Sequence, residues 1–113
     1  MPEPIVSVKA TQWFDAWARK LWTELEYTAL REYLAARPDA GPVIPGTGGA
    51  RKLRWSLPGR GKRGGARIVY VYFLSDGDVY LLVGYTKAEK ADLSPKERAE
   101  IKGIVSRLKG LRT

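Results

Sequence analysis

The chain opens with a β-branched run, Ile5-Val6-Ser7-Val8-Lys9, in which Ile5, Val6 and Val8 mark a first strand. Apolar residues then recur at helical spacing: Trp13, Phe14, Trp17 and Leu21 share one side of a helix from Thr11 to Leu21. Thr23-Glu24-Leu25-Glu26 has the form of a capping box and opens a second helix. That helix is expected to bury Leu25, Ala29, Leu30, Tyr33 and Leu34. It should stop before Pro38, because a proline disfavours helical geometry at the preceding Arg37. The aromatic residues of this segment read as core rather than as a ligand stripe.

The segment from Gly41 to Gly49 carries Pro42, Pro45 and four glycines and reads as a connecting loop. From Arg51 to Leu57 the pattern alternates. Arg51, Leu53, Trp55 and Leu57 lie on one face; Lys52, Arg54 and Ser56 lie on the other. This predicts a half-buried strand whose open face is cationic. Pro58 to Gly65 is a glycine-rich basic loop. Arg67 to Leu74 is apolar on both faces, with Ile68, Tyr70 and Tyr72 against Val69, Val71 and Phe73, as a central strand covered on both sides would be. Ser75-Asp76-Gly77-Asp78 is a hairpin signal, and Val79 to Tyr85 forms the next strand. Ser94-Pro95-Lys96-Glu97 places proline inside a capping box and starts a last helix, striped by Ile101, Ile104, Val105 and Leu108 and ended by Gly110. The order is β-α-α-β-β-β-α, an α+β arrangement.

Length and composition narrow this further. A chain of 113 residues fits one domain, residues 1–113, and its 44% hydrophobic content is too high for a disordered chain. It holds no cysteine and no histidine, which excludes disulfides, the usual zinc sites, a Cys–His nucleophile and a Ser–His–Asp triad. No cofactor and no metal are expected. Without a targeting segment or an apolar run of about 18 residues, a cytoplasmic protein with no membrane contact is expected. The net charge of +8 is unevenly placed. Residues 46–75 hold Arg51, Lys52, Arg54, Arg60, Lys62, Arg63 and Arg67 and no acid, so nearly all the excess sits in one stretch. That concentration points to a polyanionic partner.

Gly59-Arg60-Gly61-Lys62-Arg63-Gly64 matches the G-x-G-x-x-G spacing of dinucleotide sites, but it joins two strands rather than opening a helix, and the match is rejected. What remains is a basic loop whose Arg60, Lys62 and Arg63 suit a phosphate backbone. The sharper set is Lys52 and Arg54, two apart on an open strand face, with Arg67 opening the next strand and Lys87 and Lys90 following the one after. If the three strands are antiparallel neighbours, these cations converge. Such a face can cleave RNA without a metal, because the substrate brings its own 2′-hydroxyl nucleophile. A lysine whose pKa is lowered by neighbouring cations takes the proton, arginines hold the charge on the phosphorus oxygens, and a second lysine or a tyrosine protonates the leaving 5′-oxygen. Electrostatic binding of nucleic acid without cleavage is the alternative that the residues leave open.

Three blocks, residues 43–54 (VIPGTGGARKLR), 61–70 (GKRGGARIVY) and 85–94 (YTKAEKADLS), resemble the HigB-type branch of the RelE/ParE toxin superfamily. The flanking helices fit too, so the resemblance covers nearly the whole chain. It implies a RelE-like fold, with a small, mostly antiparallel sheet packed by helices. It also implies the toxin of a type II toxin–antitoxin pair: a metal-independent endoribonuclease that cuts mRNA on the ribosome, neutralised by an antitoxin that typically carries a helix-turn-helix domain. By position, Lys52, Arg54, Arg67, Lys87 and Tyr85 are the expected catalytic residues, with Arg51, Arg60, Lys62, Arg63 and Lys90 holding RNA. One departure stands out, for RelE itself has a tyrosine shortly after the last basic segment, where Asp92-Leu93-Ser94-Pro95 offers none; Tyr85 or a lysine is expected to serve as the acid. A ParE-like inhibitor of DNA gyrase is the rival activity on the same fold.

Overall fold

Three helices and four strands follow one another as β1 (Ser7–Ala10), α1 (Gln12–Leu21), α2 (Glu24–Ala36), β2 (Arg51–Trp55), β3 (Ala66–Phe73), β4 (Asp78–Thr86) and α3 (Pro95–Gly110). They belong to a computed structural model that describes residues 6–56, 65–74 and 76–111. The order and the α+β class are those expected. The expectations for Ile5, for Ser75 and for the loop residues Arg60, Lys62 and Arg63 fall outside the described residues.

Each helix begins where a side-chain oxygen can take an unpaired backbone N–H. Thr11 accepts from the Phe14 N–H, while Thr23 with Glu26 and Ser94 with Glu97 form reciprocal capping boxes, the latter with Pro95 in the first turn. The sheet order is β1-β4-β3-β2. β2, β3 and β4 are antiparallel neighbours, and β1 joins the far edge parallel to β4.

Helices cover both faces. On one, Phe14 and Ala18 of α1 and Tyr27, Leu30 and Leu34 of α2 pack on Leu53, Ile68, Tyr70, Val79 and Leu81. On the other, Ile101 and Val105 of α3 pack on Val69, Val71, Phe73 and Leu82. β3 is therefore the doubly covered strand that its apolar run predicted. The second helix departs from expectation. Leu25 is 84% exposed and Ala29 is also exposed, whereas Tyr27 is buried, because the helix turns positions 27, 30 and 34 toward the sheet. Trp13, expected in the core, is 55% exposed at the start of α1.

Two local devices set the strand phases. In β4 the register passes from Val69↔Val83 to Tyr70↔Leu81, so Leu82 is an extra residue. A bulge of this kind puts two consecutive side chains on one face and reverses the alternation beyond it. Leu82 and Val83 both join the α3 layer, and Thr11 donates its hydroxyl to the Leu82 carbonyl at 2.6 Å. Beside β2, the buried Thr47 donates to the Ile44 carbonyl at 2.7 Å and accepts from the Ala50 N–H at 3.1 Å. The loop so held runs along the outer edge of β2, where the Lys52 N–H donates to the Pro42 carbonyl at 3.0 Å.

Candidate nucleic-acid interface

The register of the three antiparallel strands builds a row. Arg54 of β2 lies opposite Arg67 of β3, and Arg67 lies opposite Tyr85 of β4. Lys52, two residues before Arg54, takes the same face opposite Val69. This is the α3 side of the sheet, since Val69 and Tyr85 belong to that core. Tyr85 reaches it only because of the Leu82 bulge; with unbroken alternation it would point toward α1. Like charges placed directly across a strand pair are destabilising. Among the described residues no acid pairs with Arg54 or Arg67.

The rest of the face is organised by acids. Asp92, between β4 and α3, pairs with the Lys52 ammonium at 3.2 Å and accepts from the Tyr85 hydroxyl at 3.4 Å and the Leu93 N–H at 2.7 Å. Arg98 approaches its other oxygen at 3.5 Å. The Leu93 N–H and then Lys52 hold the Asp92 carboxyl below the usual range. Burial, with the charge of Asp92 second, pushes the Tyr85 phenol up. It therefore stays protonated and donates. Lys90 pairs with Glu97 and lies over the Tyr85 ring, 5.8 Å from its centre. Lys90 first and the Ser94 N–H second lower the Glu97 carboxyl.

Of the residues expected at the site, Lys52, Arg54, Arg67 and Tyr85 come together, and Lys90 borders them. Tyr85 is only 2% exposed, and its hydroxyl donates to Asp92. Arg51 lies on the opposite face, donating to the carbonyls of Gly41 at 2.9 Å and Asp39 at 3.3 Å; alternation along β2 separates it from Lys52. Lys87 stands exposed in the turn after β4, with no ion pair among the described residues. Asp92, Glu97 and Arg98 were missed. Only the capping-box form of Ser94 to Glu97 hinted that this segment would be held close.

These carboxylates set an acid-stability profile. Asp92, Glu97 and Asp15, the last lowered first by its bond from Arg19, all titrate lower in the folded chain than in the unfolded one. Their contribution is thus complete above the unfolded carboxylate range, about pH 4, and is lost as pH falls through the depressed folded values. With no histidine to titrate, the melting temperature should be level from about pH 8 to about pH 5 and fall below about pH 4. Thermal melts across that range check this, and a decline already at pH 6 would contradict it.

A helix-flanked sheet with two arginines opposed on one face defines a small cationic α+β protein. A family model described as the RelE toxin of the RelE/RelB toxin–antitoxin system matches residues 6–113. The chain belongs to the RelE toxin family, and a toxin of such a pair has an antitoxin as its partner. The fold is similar to that of a solved E. coli toxin RelE, a double arginine-to-alanine mutant in the free state, at TM-score 0.56 and 14% identity over 78% of this chain and 90% of that one.

Proposed function

We infer that this toxin is a ribosome-dependent endoribonuclease that cleaves mRNA without a metal, within the HigB-type branch suggested by its three sequence blocks. The observation that carries the reading is the Arg54–Arg67 pair, two arginines opposite each other across β2 and β3 with no acidic partner among the described residues. Such a pair suits a phosphodiester, since guanidinium forks match phosphate oxygens in geometry and charge. The 2′-hydroxyl attacks phosphorus, the bond to the 5′-oxygen breaks, and a 2′,3′-cyclic phosphate and a free 5′-hydroxyl result. Arg54 and Arg67 stabilise the charge that builds on the non-bridging oxygens. Proton transfer falls to the lysines, Lys52 beside the row and Lys87 in the exposed turn beyond β4.

The partners that follow are mRNA in the ribosome, in the cytoplasm, and an antitoxin, of helix-turn-helix type, with an acidic segment complementary to this face. The decisive experiment adds purified toxin to a cell-free translation extract and maps mRNA ends. Cleavage that requires ribosomes supports the reading. Intact mRNA together with a defect in DNA supercoiling would replace it with gyrase inhibition.

Arg60, Lys62 and Arg63 are assigned to the phosphate backbone on their charge and their glycine-rich setting in the sequence. Neutralising Lys62 and Arg63 together should weaken RNA binding and flatten its salt dependence, by roughly one unit of slope or slightly less for each phosphate that the loop no longer neutralises. Binding titrations at several salt concentrations read this directly, and an unchanged slope would remove the loop from the interface.

A further inference from the structure

Asp92 puts a negative charge on a surface that otherwise suits an anion. It lies two residues ahead of the Ser94 cap, outside the capping box, and its side chain is 51% exposed. Exposed ion pairs of this kind contribute little to stability. Yet four donors converge on this carboxylate: Lys52 from β2, Tyr85 from β4, the Leu93 N–H from the connection and Arg98 from α3. The Arg98 Nε is buried without a hydrogen-bond partner, so the contact of its guanidinium with Asp92 is made through Nη2 alone.

Two consequences follow, of opposite sign. A carboxylate here repels the phosphates that Arg54 and Arg67 would hold, which lowers affinity for RNA. It also restrains a side chain that would otherwise roam. A lysine ammonium sits on a flexible four-carbon stem, and a reacting group is effective only when held in the productive geometry. Tyr85 is rigid because it is buried, and its protonated hydroxyl, with Leu93 and Arg98, orients the carboxylate from three sides. The carboxylate in turn fixes Lys52.

We propose that Asp92 is a positioning residue of the cleavage site, fixing the Lys52 ammonium beside the Arg54–Arg67 pair while weakening the hold on RNA. This rests on the nuclease reading. Asp92→Asn keeps the size of the side chain and an acceptor for the Leu93 N–H, but removes the charge. It should therefore slow the chemical step, by about 10²-fold for a displaced reacting group, while RNA binding stays equal or becomes tighter. Any tightening should be largest at low salt. A merely structural role would not separate the two effects.

The experiment is single-turnover cleavage on mRNA-programmed ribosomes over a range of toxin concentrations, for the parent, Asp92→Asn, Lys52→Ala and the double variant, with melting temperatures for each. The expected result is a lower saturating rate for Asp92→Asn at unchanged or lower half-saturation, with no further loss when it is added to Lys52→Ala. A saturating rate equal to the parent's overturns the proposal. So does an equal loss in the Lys52→Ala background, which would put the action of Asp92 elsewhere. Slower cleavage with weaker binding and a lowered melting temperature would make Asp92 a structural residue. A parent that cuts no ribosome-bound mRNA removes the nuclease reading and this proposal together, whereas a parent that cuts beside an equally fast Asp92→Asn removes this proposal alone.

Discussion

Arg67→Ala should abolish toxicity in a protein that still folds. Arg67 sits in the middle of the row, opposite both Arg54 and Tyr85, where two strand registers meet. Loss of one preorganised charge donor at a developing oxyanion typically lowers the rate by about 10²–10³. The fold should not suffer, because the substitution removes one of two like-charged residues placed opposite each other across a strand pair, an arrangement unfavourable to the folded state. The melting temperature is therefore expected to stay level or rise. Induced expression at matched protein level, with growth and mRNA integrity followed together, is the measurement. Growth arrest as complete as the parent's would show that Arg67 takes no part in the chemistry.

Gly84→Ala should have the largest effect on stability, for a reason unconnected with the site. The bulge at Leu82 turns position 84 toward α1, where the Trp17 ring lies against the backbone, so an added Cβ would overlap the ring. The ring has little room to withdraw. Its centre is 5.6 Å from that of Phe14 and 5.3 Å from that of Trp22, and its Nε1–H donates to Glu89 at 3.1 Å. Overpacking a well-filled core costs about 1–3 kcal/mol and sometimes more, against a total domain stability of about 5–15 kcal/mol. The melting temperature should drop by on the order of 10 °C. In a Trp17→Ala background the same change should be nearly harmless, which isolates the overlap as the cause. Gly103→Ala, in α3 with open space around it, should instead stabilise the helix by about 0.5–1 kcal/mol. If Gly84→Ala melts with the parent, Trp17 does not constrain that position.

The element order, the capping boxes at Thr23 and Ser94, the doubly apolar β3 and the cationic face of β2 were all legible along the chain. Each is local: a cap needs only a side-chain oxygen and the next turn, and an alternating face needs only the period of two. The convergence of Lys52, Arg54 and Arg67 was legible as well, because sequential strands joined by short connections tend to pair. The sequence marked Tyr85 as a candidate, but its place depends on one extra residue in β4. No residue type announces that bulge, and it reverses the face of everything beyond it. The burial of α2 likewise turned on its rotation against the sheet, which set Tyr27 inside and Leu25 outside. Above all, tertiary structure decided which cations have partners. Asp92 lies 40 positions from Lys52 and Glu97 seven from Lys90, and only folding brings these acids onto the face. Charge counted along a chain registers excess, whereas Coulomb interaction depends on distance in space. The sequence alone therefore determined that this protein carries a cationic sheet face, and the fold decided that Lys52 and Lys90 on it are paired while, among the described residues, Arg54 and Arg67 have no acidic partner.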